Sequence, residues 1–156
     1  MKDYLNIGDT MKQKIKNIKA LIRAKISPTN TQLNIVLNEL EDVLNSDKVK
    51  PINKANILKI VHLLRSLEST LKLYLDENHI PYNGHSSMGK FFHIYAKHNY
   101  PIIGNIDSSE LNRYINKLSD YRNEFMHNAG KYPANENVIK NLLNEIDICL
   151  VRILNL

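Results

Sequence analysis

The sequence has little of what builds several common classes of protein. Its single cysteine, Cys149, excludes an intrachain disulfide and a zinc site made of cysteines. No apolar run is long enough for a membrane span, and the first residues lack the apolar core of a signal peptide. We therefore expect a cytoplasmic protein without a membrane partner.

Tryptophan is absent, and glycine and proline occur only 5 times each. The glycines and prolines fall in clusters. The segments between these clusters repeat apolar residues at helical spacing and show no alternating pattern typical of strands. The length of 156 residues fits one domain, residues 1–156, and is too short for a two-domain enzyme. The net charge of +5 permits an anionic partner such as RNA but does not require one.

Six helices are predicted, which indicates an all-α antiparallel bundle of five to six helices. The first should follow Asp9 and Thr10, the second Ser27-Pro28, and the fourth Ser86 and Ser87. The third, fifth and sixth helices are expected over about 52–78, 107–128 and 135–156.

Two charged residues interrupt the apolar stripes of these helices. On the fifth helix, Arg122 falls in line with Leu111 and Leu118, at roughly 100° per residue. On the third helix, Glu68 falls among leucines in the same way. Because a buried guanidinium needs an anionic partner, we expect Glu68 to hold Arg122 or the Arg122 side chain to bind phosphate. A salt bridge that only fixes helix register is an equally good interpretation of the pair.

The segment that ends the fifth helix carries the residues Arg122, Asn123 and His127, which form the pattern R-N-x-x-x-H. This resembles the R-x(4–6)-H motif of the HEPN superfamily, small α-helical proteins of which many are ribonucleases. The resemblance includes the setting of the motif, on the penultimate long helix of a basic all-α chain. It implies a HEPN-like fold and RNA as the substrate.

The resemblance gives these residues catalytic roles in cleavage by the 2′-hydroxyl of RNA. His127 would move the protons, Arg122 would stabilise the phosphate, and Asn123 would bind the phosphate or orient His127 from one helical turn away. The family commonly pairs two motifs across a composite groove, which implies a homodimer with Tyr121 and Met126 lining the interface or groove. No metal and no cofactor are expected.

Basic residues elsewhere are weaker candidates for RNA contact. Lys131 follows the motif closely, and a stripe on the first helix combines Lys12, Lys16, Lys19 and Arg23. That stripe is interpreted first as an ordinary solvated face. His62 and Cys149 are interpreted as packing or surface residues.

The predicted function is a metal-independent endoribonuclease of a toxin–antitoxin, antiviral defence or stress system, with an antitoxin or regulatory protein as a further partner. Some toxins of the family carry a tyrosine two residues after the histidine, and a partner enzyme modifies it. This chain has Ala129 at that position, and the resemblance therefore does not imply regulation by that modification. The alternative is a non-catalytic HEPN-like module that binds nucleotide, RNA or protein. A third interpretation is a purely structural helical adaptor.

Overall fold

The computed structural model describes residues 7–82, 87–96, 106–128 and 130–156, and side chains from Thr10 onward within them. These residues form six α-helices and no β-strand, which confirms the predicted all-α bundle. The helices are α1 (Ile7–Lys25), α2 (Leu33–Asn45), α3 (Ile52–Glu77), α4 (Met88–Ala96), α5 (Ser108–Phe125) and α6 (Glu136–Leu154). None of the described helices is both long and apolar enough to cross a membrane.

The longest helix, α3, lies at the centre of the bundle. It packs against α2, α4, α5 and α6, and α1 closes the bundle by packing against α2 and α6. One cluster of buried side chains includes members from all six helices. Cys149 is a fully buried member of that cluster, and burial raises the pKa of its thiol, so it is a packing residue, as predicted.

Helix α4 is fastened to its neighbours by aromatic side chains. The Tyr95 hydroxyl donates a hydrogen bond to the carbonyl oxygen of Leu71 on α3 at 2.6 Å. The rings of Phe92 and Tyr114 stack with centroids 6.2 Å apart, which joins α4 to α5. These contacts hold α4 against both α3 and α5.

The second helix begins later than the Ser27-Pro28 pair predicts. The Ser27 carbonyl accepts from the amide of Asn30, and the Asn30 side chain accepts from the amide of Gln32 at 2.9 Å. These bonds form a turn over 27–32 and delay α2 to Leu33, because short polar side chains compete with the helical ladder. The first helix begins earlier than predicted, at Ile7, ahead of Asp9 and Thr10.

Helix α5 begins at the predicted position, but it ends earlier than predicted. Asp107 is the N-cap and accepts from the amide of Ser109 at 2.9 Å. The helix ends at Phe125, three residues before the predicted Asn128. Asn128 instead donates its side-chain amide to the carbonyls of Asn123 (3.0 Å) and Glu124 (3.3 Å), which satisfies two exposed carbonyls of the last turn.

Candidate active site

Arg122 lies at the edge of the buried stripe of α5, and not in its centre. The buried residues of this helix are Leu111, Tyr114, Leu118 and Phe125. At roughly 100° per residue, Arg122 is about 60° around the helix from Phe125. Arg122 is accordingly half-buried, as expected for a long side chain at the edge of an apolar stripe.

The predicted pairing of Glu68 with Arg122 is wrong. The ion pairs among the described residues do not include it, and neither residue takes part in any of them. Glu68 is half-buried on α3 and lines a shallow cavity of about 250 Å³ with Arg65, Lys72 and Phe91. It leaves the core because the buried stripe of α3 passes beside it through Leu67 and Leu71.

His127 lies beyond the end of α5, in the bend that follows the C-cap residue Met126. Asn123, on the last turn of the helix, and His127 are both exposed. The prediction that one continuous helix aligns them is therefore wrong. The Asn128 side chain donates to carbonyls of the last turn and so holds the bend that contains His127 against the end of the helix.

The supporting residues Tyr121 and Met126 have different environments. Tyr121 is half-buried, and its ring stacks on Phe125 with centroids 6.5 Å apart. Burial, assisted by the nearby carboxylates of Glu145 and Glu124, raises the pKa of its hydroxyl, which therefore stays protonated at neutral pH. Met126 is 37% exposed and is therefore accessible to a partner surface.

A groove of about 690 Å³ runs between α5, the following loop and the start of α6. Its lining includes Tyr121, Lys131 and Tyr132 but neither Arg122 nor His127. Two ion pairs cross it, Lys117–Glu145 at 3.0 Å and Lys131–Glu124 at 3.8 Å. Tyr121 and Arg122 are successive residues on a helix, roughly 100° apart, so the groove lies on the other edge of the apolar stripe from Arg122.

The basic residues predicted for RNA contact divide into exposed and engaged ones. Lys19 forms an ion pair with Glu41 of α2, and its side chain is only 15% exposed. It therefore stabilises the packing of α1 against α2. This pair lowers the pKa of the Glu41 carboxyl. Lys12, Lys16 and Arg23 are exposed on α1.

Compared with protein-family models, with curated proteins and with solved structures, the chain gave no match. The site is therefore characterised by its own geometry. In the described part of the chain, a half-buried arginine outside every ion pair, an exposed asparagine and an exposed histidine follow one another at the end of α5.

Sequence reasoning missed one cluster of polar residues. His62 donates a hydrogen bond through Nδ1 to a carboxylate oxygen of Glu39 on α2 at 2.8 Å, and a carboxylate oxygen of Asp42 lies within 4.8 Å of both side chains. Arg65 also approaches Glu39, with its Nε 3.2 Å from a carboxylate oxygen. The only signal in the sequence was the spacing of Glu39 and Asp42, one turn apart on a helix, and nothing indicated which helix would face them.

Proposed function

We propose that the chain is a metal-independent endoribonuclease that cleaves RNA through attack of the 2′-hydroxyl on the adjacent phosphate. The observation that carries this proposal is the half-buried Arg122, which takes part in none of the ion pairs of the described residues. An arginine at the edge of an apolar stripe, outside every ion pair of the described residues, is suited to bind an incoming phosphate.

The residues around Arg122 supply the remaining chemistry. His127 is exposed at the helix end, where an imidazole can take the proton of the 2′-hydroxyl or give one to the leaving 5′-oxygen. Asn123 is exposed on the last turn and can donate its amide to a phosphate oxygen. The products are then a 2′,3′-cyclic phosphate and a 5′-hydroxyl.

A single imidazole cannot readily serve as base and acid on opposite sides of one phosphorus, which favours a homodimer with two motifs in one groove. The exposed Met126 is compatible with this arrangement, since an accessible apolar side chain precedes His127 directly in the sequence. A two-fold interface would bring each of these residues next to its own copy.

The test is cleavage of a labelled single-stranded RNA in the presence of EDTA. We expect His127→Ala to lower the rate by about 10²- to 10⁴-fold, because a positioned proton-transfer group is lost. Arg122→Ala should lower it by about 10²- to 10³-fold, as for loss of one charge-stabilising donor. The product ends, read by mass spectrometry, should be the cyclic phosphate and the 5′-hydroxyl.

Two matched variants control for general effects of lost charge. Arg113→Ala removes an exposed arginine of the same helix, and His93→Ala removes an exposed histidine of α4. Both should cleave like the unmodified protein. Cleavage in EDTA that persists in the Arg122 and His127 variants would assign the activity to another site or a contaminant.

A second candidate, RNA or nucleotide binding without cleavage, is favoured by the groove beside α6. Its aromatic residues Tyr121 and Tyr132 can stack on bases, and Lys131 lies next to them. RNA binding that depends on Tyr132 and Lys131, without cleavage and without effect of His127→Ala, would support this candidate over the ribonuclease.

A further inference from the structure

The cluster of Glu39, Asp42 and His62 joins two helices that are far from the candidate catalytic residues in sequence. A carboxylate oxygen of Glu39, one of Asp42 and a ring nitrogen of His62 lie within 4.8 Å of one another. The two acidic residues are one turn apart on α2, so both face α3, where His62 meets them.

These spacings suit a metal ion. Oxygen and imidazole ligands bind zinc at about 2.0–2.2 Å, so two ligands of one ion are at most about 4.4 Å apart. The three ligand atoms lie within 4.8 Å of one another, so small side-chain rotations are enough to bring all three to one ion. Glu39 and His62 are 15% and 19% exposed, which leaves an entry path for the ion and room for a water ligand.

The donor set selects the class of ion. An imidazole suits zinc, copper, iron and nickel, whereas calcium and magnesium prefer oxygen ligands alone. The two carboxylates supply two negative charges, and Arg65 offsets one of them through its contact with Glu39. Arg65 is 61% exposed, so it can swing into water when an ion takes its place.

We propose that Glu39, Asp42 and His62 form a binding site for a divalent transition-metal ion such as zinc, and that the bound ion links α2 to α3. The site does not depend on the proposed ribonuclease function and takes no part in its chemistry. The simplest alternative is a salt-bridge network without a metal ion, in which Glu39 pairs with His62 and Arg65.

The experiment titrates Co²⁺, followed by its visible absorption, and Zn²⁺, followed by calorimetry, into protein without a histidine tag. We expect one saturable equivalent and a metal-dependent rise in Tm. His62→Gln and Asp42→Asn should each weaken binding by about tenfold or more, since the first removes the imidazole ligand and the second removes the charge of a carboxylate ligand. His93→Gln, which changes an exposed histidine outside the cluster, should bind like the unmodified protein.

Arg65→Gln separates the metal site from the salt-bridge network. If Arg65 competes with the ion for Glu39, this variant should bind Co²⁺ at least as tightly as the unmodified protein. The proposal is overturned if neither ion binds saturably, or if His62→Gln and Asp42→Asn bind as the unmodified protein does. Should His62→Gln fail to fold by circular dichroism, Asp42→Asn alone decides between the two outcomes.

Discussion

At the scale of single residues, an apolar stripe with one polar member has two structural solutions. The polar side chain can enter the core with a partner, or the stripe can rotate until that side chain lies at its edge. Arg122 and Glu68 both follow the second solution and are half-buried. A rotation of tens of degrees costs little, whereas burying an ion pair requires desolvation of both charges.

Glu68→Gln tests this description of the α3 surface. We expect the free energy of unfolding in urea to change by less than about 0.5 kcal/mol, as for a surface substitution without a partner. Breaking a buried ion pair would instead cost about 3–5 kcal/mol. A decrease of that size in the free energy of unfolding would indicate that Glu68 does pair with Arg122. A loss of RNA cleavage as large as that of Arg122→Ala would indicate the same.

At the scale of helices, periodicity predicted all six elements, and local hydrogen bonds decided their ends. The capping of α5 by Asp107 was predictable, because an aspartate before a helix is a strong signal. The end of α5 was not, since Asn128 fits a helical turn in the sequence but caps two carbonyls in the structure. This difference moved His127 off the helix.

Asp107 makes the stability of α5 depend on pH in a defined direction. The amide of Ser109 lowers the pKa of the Asp107 carboxyl by donating a hydrogen bond to its charged form. Its stabilising contribution is therefore complete above the unfolded pKa, about 4, and is lost as the pH falls through the lower folded value. The difference in Tm between the unmodified protein and Asp107→Ala should thus be constant near neutrality and shrink in acid.

Asp107→Asn is the control for this pH dependence. It keeps a side-chain oxygen that accepts from Ser109 but cannot ionise in this range. Its Tm should exceed that of Asp107→Ala by an amount that does not change between pH 3 and pH 7. A Tm difference for Asp107→Ala that grows in acid would contradict the assignment.

At the scale of the whole molecule, α3 is the element on which the others depend. Leu67 is fully buried at its middle, in a helix that packs against four others. We expect Leu67→Ala to lower the free energy of unfolding by about 2–5 kcal/mol, as for other buried leucines. Because the chain has no tryptophan, circular dichroism and tyrosine fluorescence are the probes, and both should report one coincident transition in urea. Separate transitions for the two probes would contradict a single core.

The sequence by itself determined the helical class, the positions of the helices and the motif of Arg122, Asn123 and His127, because periodicity and spacing are local properties of the chain. The tertiary structure decided which helix faces which, and therefore which polar residues meet. It separated Glu68 from Arg122, engaged Lys19 with Glu41, and brought His62 to Glu39 and Asp42. These outcomes depend on the rotation of each packed helix about its axis, which is set by how all the apolar faces fit together in one core.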